Sequence, residues 1–303
     1  MLSGSVRDKV AKRVHNPSII QADLRRLSAE ILRDLIMFYA AYHQRRQTPG
    51  RVYSIPRRQC RMWLPISWGY TVAQRRFGVF EPDTFVTLEE IVRPGFIVIE
   101  IGAAYGAFTI ELSRLVGSTG RVYSFEMFPP VYAITERNVA LNALTNVQLF
   151  NSAVGRFGNH RVRVDPLARN SYGALDQISH LDYSARTRGA QKQGGGEEVE
   201  IGTVSLSNFL ATQTVSPDLI FMDIEGCELE VLYDLQTLLR AETGRPILYF
   251  ELHRDFYGEA GVDWLRRLMD QSGYATRTVA AHLLCIPARA ATALPVPPFS
   301  PAA

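Results

Sequence analysis

Carboxylates recur in this sequence at the ends of short apolar runs. Phe96-Ile97-Val98-Ile99-Glu100-Ile101 leads into Gly102, three further residues and Gly106, and Val122-Tyr123-Ser124-Phe125 ends in Glu126. Further on, residues 219–223 end in Asp223 ahead of Ile224-Glu225-Gly226-Cys227-Glu228, and residues 247–252 carry Glu251 just before His253. Ligands of open α/β sheets bind at the carboxyl ends of strands, where glycines let the backbone turn tightly and approach the ligand. A dinucleotide site would continue Gly102-x-Gly-x-x-Gly around a pyrophosphate at a helix N-terminus. Here Ala104 and Ala107 hold the two later places. Glu100, two residues ahead of Gly102, would repel a pyrophosphate and attract a cation. Glu126 can accept hydrogen bonds from both hydroxyls of a ribose. S-adenosylmethionine (SAM) joins an adenosine to an ammonium and a sulfonium, and so meets both requirements.

The later carboxylates point to what would be done with such a cofactor. Methyl transfer is an in-line displacement at the sulfonium: the nucleophile must be aligned with the methyl carbon and, if it is a hydroxyl, lose a proton. Asp223, at a strand end, is a catalytic candidate. Glu225 and Glu228 open the following helix, where acids are also favoured by the helix dipole and the free N–H groups, so capping and function both stand for them. His253 is a candidate base because its ordinary pKa lies near neutrality; the other reading is a loop histidine bonded to a carboxylate. This first reading assigns no metal. In a second, Asp223, Glu225 and Glu251 hold a Mg²⁺ that acidifies the hydroxyl. The residues after Asp223 lack the polar-Pro-Pro-aromatic pattern associated with amide or exocyclic amine methylation, which favours an oxygen nucleophile.

These residues need a sheet to position them. Strand-like runs fall at 96–101, 121–126, 147–153, 219–223 and 247–252, with a closing pair at 274–279 and 282–287. Helical spacing fills the gaps at 109–116, 130–141, 229–240 and 264–272, with Gly117 and Gly273 as stops. The alternation predicts an α/β fold, a doubly wound, mostly parallel seven-stranded sheet of Rossmann-like type. Glu81-Pro82-Asp83 opens a helix with apolar Phe85, Leu88 and Ile91, ending before Pro94-Gly95. Residues 1–80 read as an N-terminal extension: a helix over 19–43 followed by a basic and aromatic stretch. The core domain spans 81–287, with an insertion around 156–200 containing Gly194-Gly195-Gly196, and an Ala- and Pro-rich disordered tail covers 288–303. The extension and the insertion depart from the α/β rhythm and are expected to shape the acceptor pocket.

The motifs resemble those of the FkbM-type SAM-dependent methyltransferases. Six ordered blocks carry the resemblance between Gly78 and Pro287. Gly78-Val79-Phe80-Glu81-Pro82 with Arg93-Pro94-Gly95 comes first, then Glu100 to Gly106, then Arg121 to Glu126. Asn138-Val139-Ala140-Leu141-Asn142 with Asn146-Val147 and Asn151-Ser152-Ala153-Val154-Gly155 follow. Asp223-Ile224-Glu225-Gly226-Cys227-Glu228 with Phe250-Glu251-Leu252-His253 completes the set. The resemblance implies a class I SAM methyltransferase fold and a cofactor site of Glu81, Glu100, Gly102, Ala104, Gly106, Glu126, Met127, Ser152, Ala153 and Asp223. It implies sugars, glycan precursors or secondary metabolites as acceptors. Glu100 stands where members commonly have Asp, and Ala104 where they commonly have Asn. A nucleic-acid methyltransferase and a non-catalytic binding protein are the rival readings.

Composition bounds the rest. With 47% hydrophobic residues among 303, the chain can bury a large core, and Lys and Arg exceed Asp and Glu by only three, which disfavours nucleic acid as the partner. Arg45, Arg46, Arg51, Arg57, Arg58 and Arg61 crowd one stretch, which reads as a solvated face or a contact with an anionic surface. Cys60, Cys227 and Cys285 lack the spacing of a disulfide framework or a zinc site, and no apolar run reaches the ~20 residues of a membrane span. A soluble cytoplasmic protein acting on a small molecule is expected.

Overall fold

The computed structural model describes residues 51–55, 59–64, 81–156, 161–164, 199–224 and 226–288. The helix expected over 19–43, most of the arginine-rich stretch, residues 165–198 of the insertion, Glu225 and the tail beyond 288 lie outside them. The chain divides into two units, Met1–Arg57 with Trp63–Phe80, and Arg58–Met62 with Glu81–Ala303. In the first unit the described residues include the strand β1 (Arg51–Ile55); β2 (Cys60–Leu64) begins in the second.

The second unit is built on a seven-stranded sheet. Its strands are β3 (Ile97–Ile101), β4 (Arg121–Phe125), β5 (Val147–Phe150), β9 (Leu219–Met222), β10 (Ile247–Glu251), β11 (Tyr274–Val279) and β12 (His282–Pro287), in the order β11-β12-β10-β9-β3-β4-β5. From β10 to β5 all neighbours are parallel, while β12 runs antiparallel to both β10 and β11. The central strands β3 and β9 are apolar nearly throughout because helices cover both faces, which is why they read as continuous apolar runs rather than alternating ones. Asp218 ties the starts of three strands: its carboxylate accepts from Ile97 N at 2.8 Å, its N–H donates to Ile97 O at 2.8 Å, and its carbonyl accepts from Ile247 N at 2.8 Å. The opposite, carboxyl ends are thereby held level.

The helices are α1 (Pro82–Ile91), α2 (Ala107–Val116), α3 (Pro129–Leu141), α4 (Leu206–Gln213), α5 (Glu228–Asp234), α6 (Gln236–Leu239) and α7 (Arg254–Gln271). Several differ from the sequence reading. The strand expected over 147–153 is two strands in different sheets, because β6 (Ala153–Gly155) leaves the main sheet to pair with β8 (Val199–Ser205). On its other side β8 pairs antiparallel with β7 (Arg161–Val164), so the expected insertion begins and ends in a small three-stranded sheet. The helix expected over 229–240 breaks at Leu235. The one expected from 264 begins ten residues earlier and is interrupted by Gly258 at φ 63° and ψ 176°. The unexpected α4 is capped by Ser205, whose hydroxyl accepts from Asn208 N, and it carries Phe209 to 5.1 Å from the rings of both Phe125 and Phe150. Burying side chains such as Ile99, Ile220 and Leu248 on this face is worth roughly 1.5–3 kcal/mol each. Of the arginine cluster, Arg61 is engaged with the end of α3: its guanidinium donates to Leu141 O at 3.1 Å and its N–H to Asn142 Oδ1 at 3.0 Å.

A carboxyl group sits inside this core. Glu100, in the middle of the sheet, is fully buried. Its Oε2 accepts from Thr109 Oγ1 of α2 at 2.6 Å and from Ser124 Oγ of β4 at 2.5 Å, and its Oε1 has no hydrogen-bond partner. Burial raises its carboxyl from 4.5 to about 7 against the two hydroxyls. A proton held more tightly in the folded chain than in the unfolded one stabilises fully below pH 4.5, and that contribution is lost as pH rises to about 7; the gap corresponds to roughly 3 kcal/mol. Glu100→Gln is therefore expected to gain stability relative to the wild type as pH rises. Urea unfolding at about pH 5 and about pH 8 measures this, and a difference between the two proteins that is the same at both would contradict it.

Candidate functional site

The carboxyl ends of β3, β4 and β9 meet at one loop, Gly102 to Gly106. Gly102 N and Ala103 N donate to Phe125 O at 2.9 and 3.0 Å, and Asp223 N donates to Ile101 O at 3.0 Å, so β3 is clasped on both sides as it ends. Gly102 adopts φ 91°, and a Cβ there would lie 2.0 Å from the carbonyl oxygen of Asp223. The sequence reading gave this glycine to a close approach between backbone and ligand; the structure shows a close approach between backbone and backbone. Gly106, at φ 80°, caps α2.

The loop is also gripped from α3. Thr135 Oγ1 donates to Ala104 O, and Asn138 Nδ2 donates to Tyr105 O at 2.9 Å. Both residues are fully buried and stand about thirty positions along the chain from what they hold, so sequence reading missed their role. Ala104 adopts φ 48°, in the left-handed region that Gly and Asn tolerate better than Ala. Asn, commonly found at this place in the resembling family, would be at ease in that conformation.

Glu126 lies beneath the same loop and is only 6% exposed. Its Oε2 accepts from Ala104 N and its Oε1 from Phe128 N, both at 2.9 Å. Burial raises its carboxyl from 4.5 to about 7; the N–H groups of Phe128 and Ala104 oppose this and the nearby Glu100 adds to it. Met127 and Ser152 are half-buried beside it and Ala153 is buried. Asn151 Nδ2 bridges the carbonyls of Glu126 and Met127 at 2.8 and 3.1 Å, fixing this backbone. Glu100, expected to face a cation, is fully buried, with Thr109 and Ser124 donating to its Oε2. Glu81 is placed on the other side, at φ 39° before α1, where its Oε2 accepts from Thr84 Oγ1 at 3.2 Å and lies 3.8 Å from Nε2 of the buried His282. Burial lowers the pKa of His282 below its ordinary 6.5, with the charges of Glu251, His253 and Glu228 as lesser influences, so its ring is neutral at neutral pH.

At the next strand ends, Asp223, Glu251 and His253 are half-buried, and one oxygen or nitrogen from each lies within 4.8 Å of the others, an arrangement that could receive a proton or a divalent cation. His253 Nε2 is 3.4 Å from Glu251 Oε2, and its Nδ1 is 3.0 Å from Oε1 of the fully buried Glu228. Glu228 thus does more than the helix capping that sequence reading left open. Cys227 and Cys285 are not candidate nucleophiles, since burial raises both thiols well above their ordinary range.

A parallel sheet of this order, with a glycine loop after one strand and an acid at the end of its neighbour, is a Rossmann-like architecture with an adenosine-type site. Residues 100–275, more than half of the chain, match the FkbM methyltransferase domain, and the chain belongs to that family. It is similar to the catalytic subunit of a tRNA (adenine(58)-N(1))-methyltransferase from Yarrowia lipolytica, 33% identical over 84 residues that cover 27% of this chain and 22% of that protein. It is also similar to a ribosomal protein L11 methyltransferase from Caldanaerobacter subterraneus, 36% identical over 83 residues covering 27% and 26% of the two. The chain thus spans about a quarter of the length of these relatives. Among solved structures, a SAM-dependent methyltransferase from Aquifex aeolicus aligns with 70% of this chain and 92% of its own, at 14% identity and a TM-score of 0.38. The family's cofactor is SAM, and the residues here fit it: the loop backbone has positive φ at Gly102, Ala104 and Gly106, and the Glu126 carboxyl group, an acceptor suited to hydroxyls, is held against it.

Relieving the strain at Ala104 should show directly. Ala104→Gly is expected to stabilise the folded protein by about 1 kcal/mol. Chemical denaturation of the two proteins checks it; a variant no more stable than the wild type would mean the conformation costs nothing.

Proposed function

We propose that this protein transfers the methyl group of SAM to a hydroxyl oxygen of a small molecule, a sugar, a glycan precursor or a secondary metabolite. The observation that carries this reading is the setting of His253, whose Nδ1 lies against a buried carboxylate while its Nε2 lies beside Glu251 and Asp223 at the strand ends next to the glycine loop. SAM supplies an electrophilic methyl group on a positively charged sulfur. Gly102, Ala104, Gly106, Glu126, Met127, Ser152 and Ala153 form its site, with Glu81 and Asp223 at the margin and Glu100 supporting from below. His253 takes the proton of the acceptor hydroxyl at Nε2. Asp223 and Glu251 orient that hydroxyl and stabilise the imidazolium that results; Glu225, a further candidate from the sequence, lies outside the described residues. Among the described residues no helix is long and apolar enough to cross a membrane. The three free, buried cysteines support a cytoplasmic location.

His253→Ala is expected to lower turnover on a hydroxyl acceptor by about 10²- to 10⁴-fold while leaving SAM affinity within about twofold. Turnover by the variant equal to that of the wild type would remove His253 from the role. Ribose hydroxyls are best accepted by the ionised form of Glu126, so SAM affinity measured by calorimetry should fall as pH drops below about 7. Glu126→Gln should bind weakly and without that dependence; a flat profile for the wild type would count against the assignment. The similarity to a tRNA methyltransferase supports a second reading, a nucleic-acid acceptor. Binding to RNA that weakens steeply with added salt would favour it over a small neutral acceptor.

A further inference from the structure

Glu228 is the first residue of α5, and its carboxylate is fully buried. It meets two other parts of the chain, the loop following β9 and the start of α7. Its Oε1 accepts from Ile224 N at 3.0 Å and from Gly226 N at 3.4 Å, which ties it to the loop following β9. Its Oε2 accepts from Tyr257 Oη at 2.7 Å, a residue of α7 four positions beyond His253. Its Oε1 also lies 3.0 Å from His253 Nδ1.

The chemistry of these partners sets where a neutral imidazole carries its proton. Backbone N–H groups only donate, so the Glu228 oxygen that receives two of them is an acceptor and calls for a donor at Nδ1 as well. A neutral imidazole has one N–H; on Nδ1 it meets that oxygen at 3.0 Å, the shorter of the two approaches, and Nε2, 3.4 Å from Glu251 Oε2, keeps its lone pair. Were Glu228 absent, Nδ1–H would lose its acceptor and the ring would favour the other tautomer, in which Nε2–H donates to Glu251 Oε2, 3.4 Å away. The lone pair would then point into the protein rather than toward an acceptor. In hydrolases a buried carboxylate performs this service for a histidine base, setting its tautomer and stabilising the imidazolium.

We infer that Glu228, held in place by the N–H groups of Ile224 and Gly226 and by the Tyr257 hydroxyl, is the positioning residue that keeps the proton of His253 on Nδ1 and its lone pair on Nε2. This rests on the reading of His253 as the base. Tyr257 serves the same end at one remove. Its hydroxyl also lies 3.3 Å from Glu251 O, so it braces the carboxylate against the strand from which His253 emerges.

The test is nitrogen NMR of ¹⁵N-histidine-labelled full-length protein at about pH 8, with the His253 signals identified by their loss in His253→Asn. The wild type is expected to show a protonated, pyrrole-type Nδ1 and an unprotonated, pyridine-type Nε2. The opposite tautomer in the wild type would overturn the inference without any variant. Glu228→Leu, which removes both oxygens at similar volume, should move His253 to a mixture or to the Nε2–H form while its SAM affinity, by calorimetry, stays within about twofold of the wild type. A folded Glu228→Leu protein with the wild-type tautomer would also overturn it. Tyr257→Phe, which keeps the carboxylate and the ring and removes only a hydroxyl, serves if Glu228→Leu fails to fold: it should broaden the His253 signals or mix the two tautomers, and a sharp wild-type pattern would count against the inference. If the tautomer behaves as stated but His253→Ala turns over normally, the base reading fails and the positioning role of Glu228 stands.

Discussion

The absence of a side chain at Gly102 governs this site. With the Asp223 carbonyl 2.0 Å from where a Cβ would stand, the turns after β3 and β9 are in contact, and no other residue type permits that. The contact places the loop that suits a cofactor against the edge that carries Asp223, and the parallel pairing of β9 with β10 brings in Glu251 and His253. Donor and acceptor of a methyl group must approach in line to within a few tenths of an ångström of the productive distance, which a tight backbone contact provides better than flexible side chains could. The triple tie of Asp218 at the far end of the sheet keeps the strands from sliding out of that alignment.

The fold was legible in the sequence where burial is complete and failed to be where it is partial. β3, β9 and β10 are buried from both sides, so nearly every position is apolar and the run stands out. The second half of the expected strand over 147–153 could not be told from the first, because nothing local in Ala153-Val154-Gly155 says that its partner is Thr203 to Ser205, fifty residues on. The early start of α7 was hidden by Gly258 and Gly261, which break the helical pattern. Gly261 is nonetheless needed, since a Cβ there would press on Leu229 and Tyr257. The capped apolar pattern Ser205, Leu206, Phe209 and Leu210 was present in the sequence, at the end of a long stretch without clear periodicity.

At the site, residue types and strand ends were legible and directions were not. An acid at a strand end reads the same whether it takes the N–H of a loop residue, as Glu126 does from Ala104, or the hydroxyls of Thr109 and Ser124, as Glu100 does; the partners across the strand decide. Glu228 looked like an ordinary acid at a helix start because its defining partners, His253 and Tyr257, arrive 25 and 29 residues later. Thr135 and Asn138 were hidden by the same kind of separation. Short-range pattern locates the edge of a sheet, and contacts distant in sequence determine what each residue does there.

The break at Gly258 has a mechanical meaning. Beyond it, Leu265, Leu268 and Met269 anchor the long part of α7 in the core, while the single turn before it carries Tyr257, with His253 capping it. A glycine at φ 63° and ψ 176° interrupts the helical backbone between the two parts, in a conformation essentially closed to other residues. The turn that bears the imidazole is therefore insulated from the rod behind it, so strain or sequence drift along the helix need not be transmitted to the hydrogen bonds around Glu228. The long helix can adapt to its surroundings while the small polar assembly at its head stays in tune.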